Sequence, residues 1–292
     1  MYWEVEMGVQ RYKDIRLENG ILIPGKLNLE QGMMNIWPLQ QPNLPTEFAK
    51  VKDAQSVIYF ELDYTPVGYD YLVYNPRERK GGDPLDWVLE QAMWVRFALD
   101  TIYAFAQQDS ASLRELLESH TKEAGLETSI IEMMQEKEAK SNFPSTKHHV
   151  FRYPDGAGYA NAETLYPNKP GDVLSVVPSL IATLVNANTK GMRQELWEKE
   201  FVWVRKFRTL IEVIWSMVGE LAIRSTSEGD YFRRCEWCGT PFLANDKRQR
   251  FCPDEFSKQS LCGLKYRQYK LEARQKQPNP KGSVSNKLNE KE

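Results

Sequence analysis

Cysteine is absent from the first 234 residues of this 292-residue chain, so the larger part of the protein holds neither a disulfide framework nor a thiolate metal site. Histidine is scarce as well: there are three, His120, His148 and His149. Neighbouring side chains in a loop point apart, so His148-His149 is read as an ordinary loop pair rather than a metal or acid–base site. Long hydrophobic runs are missing. The longest apolar stretch, Phe201–Ile223, is interrupted by Arg205, Lys206, Arg208, Glu212 and Glu220, which excludes a membrane span and fits a soluble amphipathic helix. The opening MYWEVEMGVQRYK has no basic segment ahead of an apolar core, so no signal peptide is read and a cytoplasmic location is expected. HExxH, GxSxG and P-loop signatures are absent. Asp155-Gly156-Ala157-Gly158 offers a GxG without a strand-to-helix context and reads as a turn. The chain is therefore expected not to be an enzyme. No internal repeat is found.

What is present suffices for a folded core. Hydrophobic residues make up 41% and charged residues 27%, with 8 Trp, 14 Tyr and 12 Phe, read mainly as packing between elements. The predicted fold class is α+β: a strand-rich N-terminal segment, then a mainly helical domain, then a small C-terminal finger. Ile15-Arg16-Leu17 and Ile21-Leu22-Ile23 flank Asn19-Gly20, the strongest short-range hairpin signal. Ser56–Leu62 and Tyr69–Tyr74 read as further strands. Asp83-Pro84 reads as an N-cap and first helical residue. The helix after it carries Trp87, Val88, Ala92, Val95, Leu99, Ile102 and Phe105 at helical spacing. Further helices are predicted over Ser110–His120, Glu127–Lys140 and Asp172–Asn188, with a long loop or small hairpin over Ser141–Gly171. A long helix is predicted from Arg193 to Arg224, its apolar stripe running from Trp197 to Ala222, with Glu195, Glu198 and Glu200 on its solvated face. The expected domains are 1–227, 228–276 and a disordered tail 277–292.

All four cysteines, Cys235, Cys238, Cys252 and Cys262, fall within 28 residues as C-x2-C-x13-C-x9-C. Random placement gives such clustering only roughly a few times in a thousand. Four thiolates are what a closed tetrahedral zinc site needs, so one structural Zn2+ is predicted, with no open position for catalysis. Cys235-Glu236-Trp237-Cys238-Gly239 has the form of a zinc knuckle, with Gly239 free to take positive φ. Thr240–Leu243 reads as a strand and Arg248–Phe251 as its returning partner. A helix is expected to begin between Asp254 and Ser257 and to carry Cys262, which gives the order knuckle, hairpin, helix of a treble clef. The nine-residue gap requires the chain to double back if Cys262 is a ligand. A module of about 45 residues buries too little apolar surface to fold alone, and metal binding supplies the difference.

Charge is divided unevenly. Phe232–Lys276 holds 11 Lys/Arg against 5 Asp/Glu, a net of +6, in a chain whose total is −2. Arg248 and Arg250 on the hairpin, with Lys265, Arg267, Lys270 and Arg274 on the last helix, form the candidate nucleic-acid surface, interleaved with Tyr266 and Tyr269. A solvated basic face is the plainer reading of the same residues.

The motif Arg233-Arg234-Cys235-x2-Cys238-Gly239-x2-Phe242, then Arg248-x-Arg250-Phe251-Cys252, then Cys262-Gly263, resembles the CGNR-type zinc finger of bacterial regulators. Leu264 and Lys265 stand where that tetrad has Asn and Arg. The resemblance covers about 40 residues and implies a DNA-binding transcriptional regulator whose N-terminal domain senses a ligand. The expectation is a finger that binds DNA or RNA, attached to a domain that binds a small molecule or protein. The alternative is a protein-interaction module in which zinc is purely structural. A third is an enzymatic N-terminal domain with the finger as a targeting appendage.

Overall fold

The computed structural model describes residues 4–5, 7–28, 33–36, 43–72, 77, 79–123, 149–152, 159–161, 172–197, 202–227, 231–244, 246–253 and 260–276. The predicted helix at Glu127–Lys140 and the tail from 277 lie outside them, as do most of 141–171 and the side chains of the three histidines.

The fold is α+β, with small sheets at the N-terminal end and helices around one apolar core. The Asn-Gly hairpin forms as its chemistry dictates. Strands β3 (Ile15–Glu18) and β4 (Ile21–Pro24) pair antiparallel, and both turn residues take positive φ, 51° at Asn19 and 79° at Gly20, the signature of a primed hairpin turn. Strands β1 (Glu4–Val5), β2 (Met7–Gln10) and β5 (Met33–Ile36) precede and follow it, β2 pairing with β5.

Several elements depart from the sequence reading. Ser56–Leu62 is not a strand but the body of helix α2 (Ala54–Asp63), after the short helix α1 (Leu44–Ala49). Asp53 and Ser56 make reciprocal side-chain-to-backbone bonds, and this capping box starts a helix despite the β-prone residues that follow. Tyr69–Leu72 is a turn of helix (α3) rather than a strand. Its start is set by the buried Asp83 carboxylate, which accepts from Gly68 N–H at 2.7 Å and Tyr69 N–H at 2.6 Å. Asp83 is thus unavailable as an N-cap. Asp83-Pro84 forms β6, pairing with β4, and the next helix begins at Leu85, whose N–H donates to Gly20 O at 2.9 Å.

That helix, α4 (Leu85–Ala106), is the centre of the molecule. The predicted stripe from Trp87 to Ile102 is buried, but so are Trp94, Phe97, Ala98, Thr101 and Ala104, because neighbours pack on several sides. Those neighbours are α1, α2, α5 (Ser110–Glu123), α6 (Val177–Asn188, entered through a 3-10 turn at Val173–Val176) and α7 (Leu210–Ser227). Trp215 of α7 is fully buried and donates its indole N–H to Gln91 at 3.1 Å. The long helix read from Arg193 is only its C-terminal half. Residues before it form β9 (Arg193–Trp197) and β10 (Val202–Lys206), antiparallel to each other, with β10 parallel to β1. Thr209 Oγ1 accepts from Glu212 N–H at 3.4 Å and the Glu212 carboxylate accepts from Arg208 N–H at 2.8 Å. These bonds start the helix there. Strands β7 (His149–Arg152) and β8 (Tyr159–Asn161) form a hairpin within the 141–171 segment. Among the described residues no helix is long and apolar enough to cross a membrane.

The C-terminal segment contributes β11 (Phe232–Arg234), β12 (Pro241–Leu243) and α8 (Leu261–Lys276). Here the structure differs from the expected hairpin. β12 pairs with β11, in front of Cys235, and not with Arg248–Phe251, which forms no strand. The knuckle is therefore the tip of the β11–β12 hairpin. The outer edge of β12 meets α1: Leu243 N–H donates to Asn43 Oδ1 at 3.1 Å, and Thr46 Oγ1 donates to Pro241 O at 2.9 Å. Phe232 and Leu243 belong to the main core.

Candidate metal centre

The knuckle closes through its own backbone. Gly239 N–H donates to Cys235 O at 2.9 Å and Cys235 N–H to Thr240 O at 3.1 Å. Gly239 sits at φ 73°, a conformation glycine adopts without strain. The segment carrying Cys252 is laid beside the knuckle by one backbone bond, Glu236 N–H to Arg250 O at 3.0 Å, and by the Glu236–Arg250 ion pair. One hydroxyl then turns the chain back. Ser260 Oγ donates to Cys252 O at 2.6 Å and accepts from Gly263 N–H at 3.2 Å, so it ties the third cysteine to the first turn of α8, where Cys262 lies. The gap that looked long for two ligands is spanned this way. Phe251 fills the space under Gly263, where a Cβ would come within 3.3 Å of its ring, and packs on Tyr266 at 5.1 Å.

The four sulfurs all lie within 4.8 Å of one another, with Cys238–Cys252 at 3.9 Å and Cys252–Cys262 at 3.5 Å. A tetrahedral dication bound to sulfur at about 2.3 Å holds its ligands about 3.8 Å apart, so this donor set can hold one metal ion. All four are free thiols, with Cys235 and Cys252 buried. Their protons are shared unequally. Hydrogen bonds from Cys235 and then Cys252 drive the Cys238 thiol far down, while Cys252 is driven up by its contacts with Cys235 and Cys238. Four thiolates packed this closely repel one another, and a bound cation is what lets all of them ionise. The body supplies one positive charge of its own. Lys50, half-buried at the end of α1, bonds to Glu47 at 2.6 Å. Burial opposes its charge, but the Glu47 carboxylate beside it outweighs that and holds the ammonium protonated.

No protein-family model, curated protein or solved structure matches this chain. What the centre does must be argued from its own residues.

The basic residues expected to touch nucleic acid are placed unevenly. Arg248 is fully exposed and pairs with Asp246 at 3.1 Å, while Arg250 is held by Glu236 and lies 5.8 Å from the Tyr266 ring. Arg267 Nε reaches Gly263 O at 3.3 Å, and Lys270 Nζ lies 5.1 Å over the Tyr266 ring. Lys265 is exposed and makes no ion pair among the described residues. Arg274 lies on α8, with its side chain outside the described set. Sequence reading did not find the residues the body contributes. A cleft of about 530 Å³ separates α1 and α4 from the knuckle, with Lys52 and Arg96 on one wall and Trp237 and Lys265 on the other. Arg234 crosses it to Asp100 at 2.6 Å and covers the Tyr103 ring at 4.7 Å. Nothing local in the sequence announces positions 50, 52, 96 and 100 as neighbours of the cysteines.

Proposed function

We propose that this protein is a zinc-stapled nucleic-acid-binding protein, a cytoplasmic transcriptional regulator of the kind whose CGNR-type fingers its C-terminal segment resembles. Four sulfur donors without nitrogen or oxygen suit zinc, in a closed structural site. The observation that carries the reading is the charge of the segment that the sulfur cluster holds together, 11 basic against 5 acidic residues over 232–276 in a chain of net charge −2. Such a surface attracts phosphates and releases counterions. Helix α8 leaves Lys265, Arg267 and Lys270 exposed. In the body, an apolar cleft of about 400 Å³ between α4, α6 and α7, walled by Ile102, Phe105, Ile181 and Ala222, supports a sensor for a small apolar ligand.

The test uses the full chain. Purified protein carries one zinc per chain, and Cys235→Ser or Cys252→Ser loses it. Binding to a random duplex, measured by anisotropy from 50 to 200 mM salt, weakens steeply with salt. Replacing Arg267 and Lys270 together by Ala lowers that log–log slope by about 2. A slope unchanged by the double substitution removes the reading.

One observation favours a second reading. Leu261, Leu264 and Leu271 are exposed on α8, and an unpartnered apolar strip of this kind suits a protein docking surface. No detectable nucleic-acid binding at 50 mM salt selects that reading.

A further inference from the structure

The cleft between the body and the knuckle holds two kinds of side chain that stand open to solvent. Of its cations, three are engaged in the fold. Arg96 donates to Ala49 O at 2.8 Å and Val51 O at 3.0 Å, the free carbonyls at the end of α1. Arg234 pairs with Asp100, and Lys50 with Glu47. Lys52 and Lys265 remain exposed on opposite walls, neither with an ion pair among the described residues. The cleft also carries an aromatic ring in the open. Trp237 is 40% exposed although the knuckle turn on which it sits is closed by backbone bonds. Its ring lies 6.0 Å from that of Tyr269, itself 58% exposed and one turn beyond Lys265 on the same side of α8. An exposed ring offers a flat face on which an unpaired base can stack.

We propose that this cleft binds single-stranded nucleic acid, with Trp237 and Tyr269 stacking on unpaired bases and Lys52 and Lys265 holding the flanking phosphates. The inference rests on the nucleic-acid reading above and narrows it. In a duplex both faces of each base are covered by the neighbouring pairs, so a protein ring reaches a base face only in an unpaired strand. A finger reading a duplex would rely on arginines free to reach base edges, yet Arg248, Arg250 and Arg267 are each bonded within the finger. Among the described residues that line the cleft, the cations without an ion pair or a fold contact are lysines, which suit the non-directional contacts made to phosphates. The site is also composite. Lys52 belongs to the loop after α1 and Lys265 to α8, so the strand would touch body and finger together, which a finger acting alone would not require.

The experiment uses the full-length, metal-loaded protein and fluorescent 12-nucleotide strands of mixed sequence, as DNA and as RNA, beside a 12-base-pair duplex, by anisotropy at 50 to 200 mM salt. The expected result is tighter binding of the single strand by tenfold or more. Trp237→Ala weakens it by roughly 5- to 150-fold, the range of one lost base stack, while Trp237→Phe retains most of the affinity. Lys52→Ala weakens strand binding and lowers its salt slope by about 0.7, an effect absent if the finger binds alone. Both substitutions are at exposed positions, and an unchanged melting midpoint shows that the fold survives. Preference for the duplex, or strand binding indifferent to both Trp237→Ala and Lys52→Ala, overturns this inference and leaves nucleic-acid binding standing. Displacement of the strand by micromolar nucleoside monophosphate assigns the cleft to free nucleotide and also overturns it. No binding of strand or duplex overturns both readings together.

Discussion

Glu61 and Asp83 illustrate how much a single pair of side chains can govern. Both are buried, and Asp83 accepts from the Gly68 and Tyr69 amides that begin α3. Burial first, and the Asp83 charge second, push the Glu61 carboxyl well above the usual range. Burial likewise raises Asp83 to about 6, although the two amides pull it down, and Asp70 adds to the rise. A carboxyl whose folded pKa is raised favours folding below its ordinary range, and that contribution is lost as pH climbs through the raised value. The two groups therefore cost stability progressively as pH rises through and beyond the ordinary carboxylate range, the Asp83 share levelling off above about pH 6. Glu61→Gln removes one of the ionisations while keeping the shape. Its melting midpoint relative to the parent should rise as pH goes from 5 to 8, by roughly 2–4 °C at the upper end. A difference that does not change with pH would mean that folding does not shift the Glu61 carboxyl. Side chains of this kind are invisible to sequence reading, since Asp83 beside Pro84 is equally well written as a helix cap.

At the level of elements, the edge of β12 decides how the C-terminal segment sits. An exposed strand edge offers unpaired backbone groups. Here Asn43, the residue that precedes α1, takes the place of a neighbouring strand by accepting from Leu243 N–H, and Thr46 adds to it by donating its hydroxyl to Pro241 O. All of these groups are buried. Asn43→Ala leaves the Leu243 amide unsatisfied in the interior and should cost about 2–3 kcal/mol in urea unfolding. Asn43→Asp, which keeps the acceptor, should cost less. Equal losses in the two variants would show that the contact is one of shape and not of hydrogen bonding. Other elements show where local signals compete. Asn19-Gly20 specifies its hairpin because both positions need positive φ and few residues tolerate it. Ser56–Leu62 looked like a strand by residue type, but the Asp53–Ser56 box had already committed the chain to a helix. The Thr209-x-x-Glu212 cap was likewise written in the sequence, and it marks the true start of α7 inside an apolar stripe that ran on without a break.

Across the whole molecule, the cysteine segment is held from two sides. Its strands share the main core through Phe232 and Leu243, whereas the knuckle, the Cys252 turn and α8 gather around a minor cluster of Cys235, Phe242, Ala244 and Cys252. So small a cluster supplies little apolar burial, and a metal would supply most of the stabilisation there. Chelation, or Cys252→Ser, should therefore free the amides of 235–240 and 261–276 to hydrogen exchange while α4 and α7 keep their protection. Global unfolding on metal removal would show instead that body and finger form one cooperative unit. The spacing of four cysteines, the basic surplus around them and the Asn-Gly turn were settled by the chain itself, because each depends on residues a few positions apart and on chemistry that few other residues supply. What covers the outer edge of β12, where Lys50 and Lys52 stand relative to the sulfurs, and how Trp237 comes to border a cleft were decided only by tertiary packing. Those contacts join residues nearly 200 positions apart, and no local propensity or periodicity encodes such a meeting.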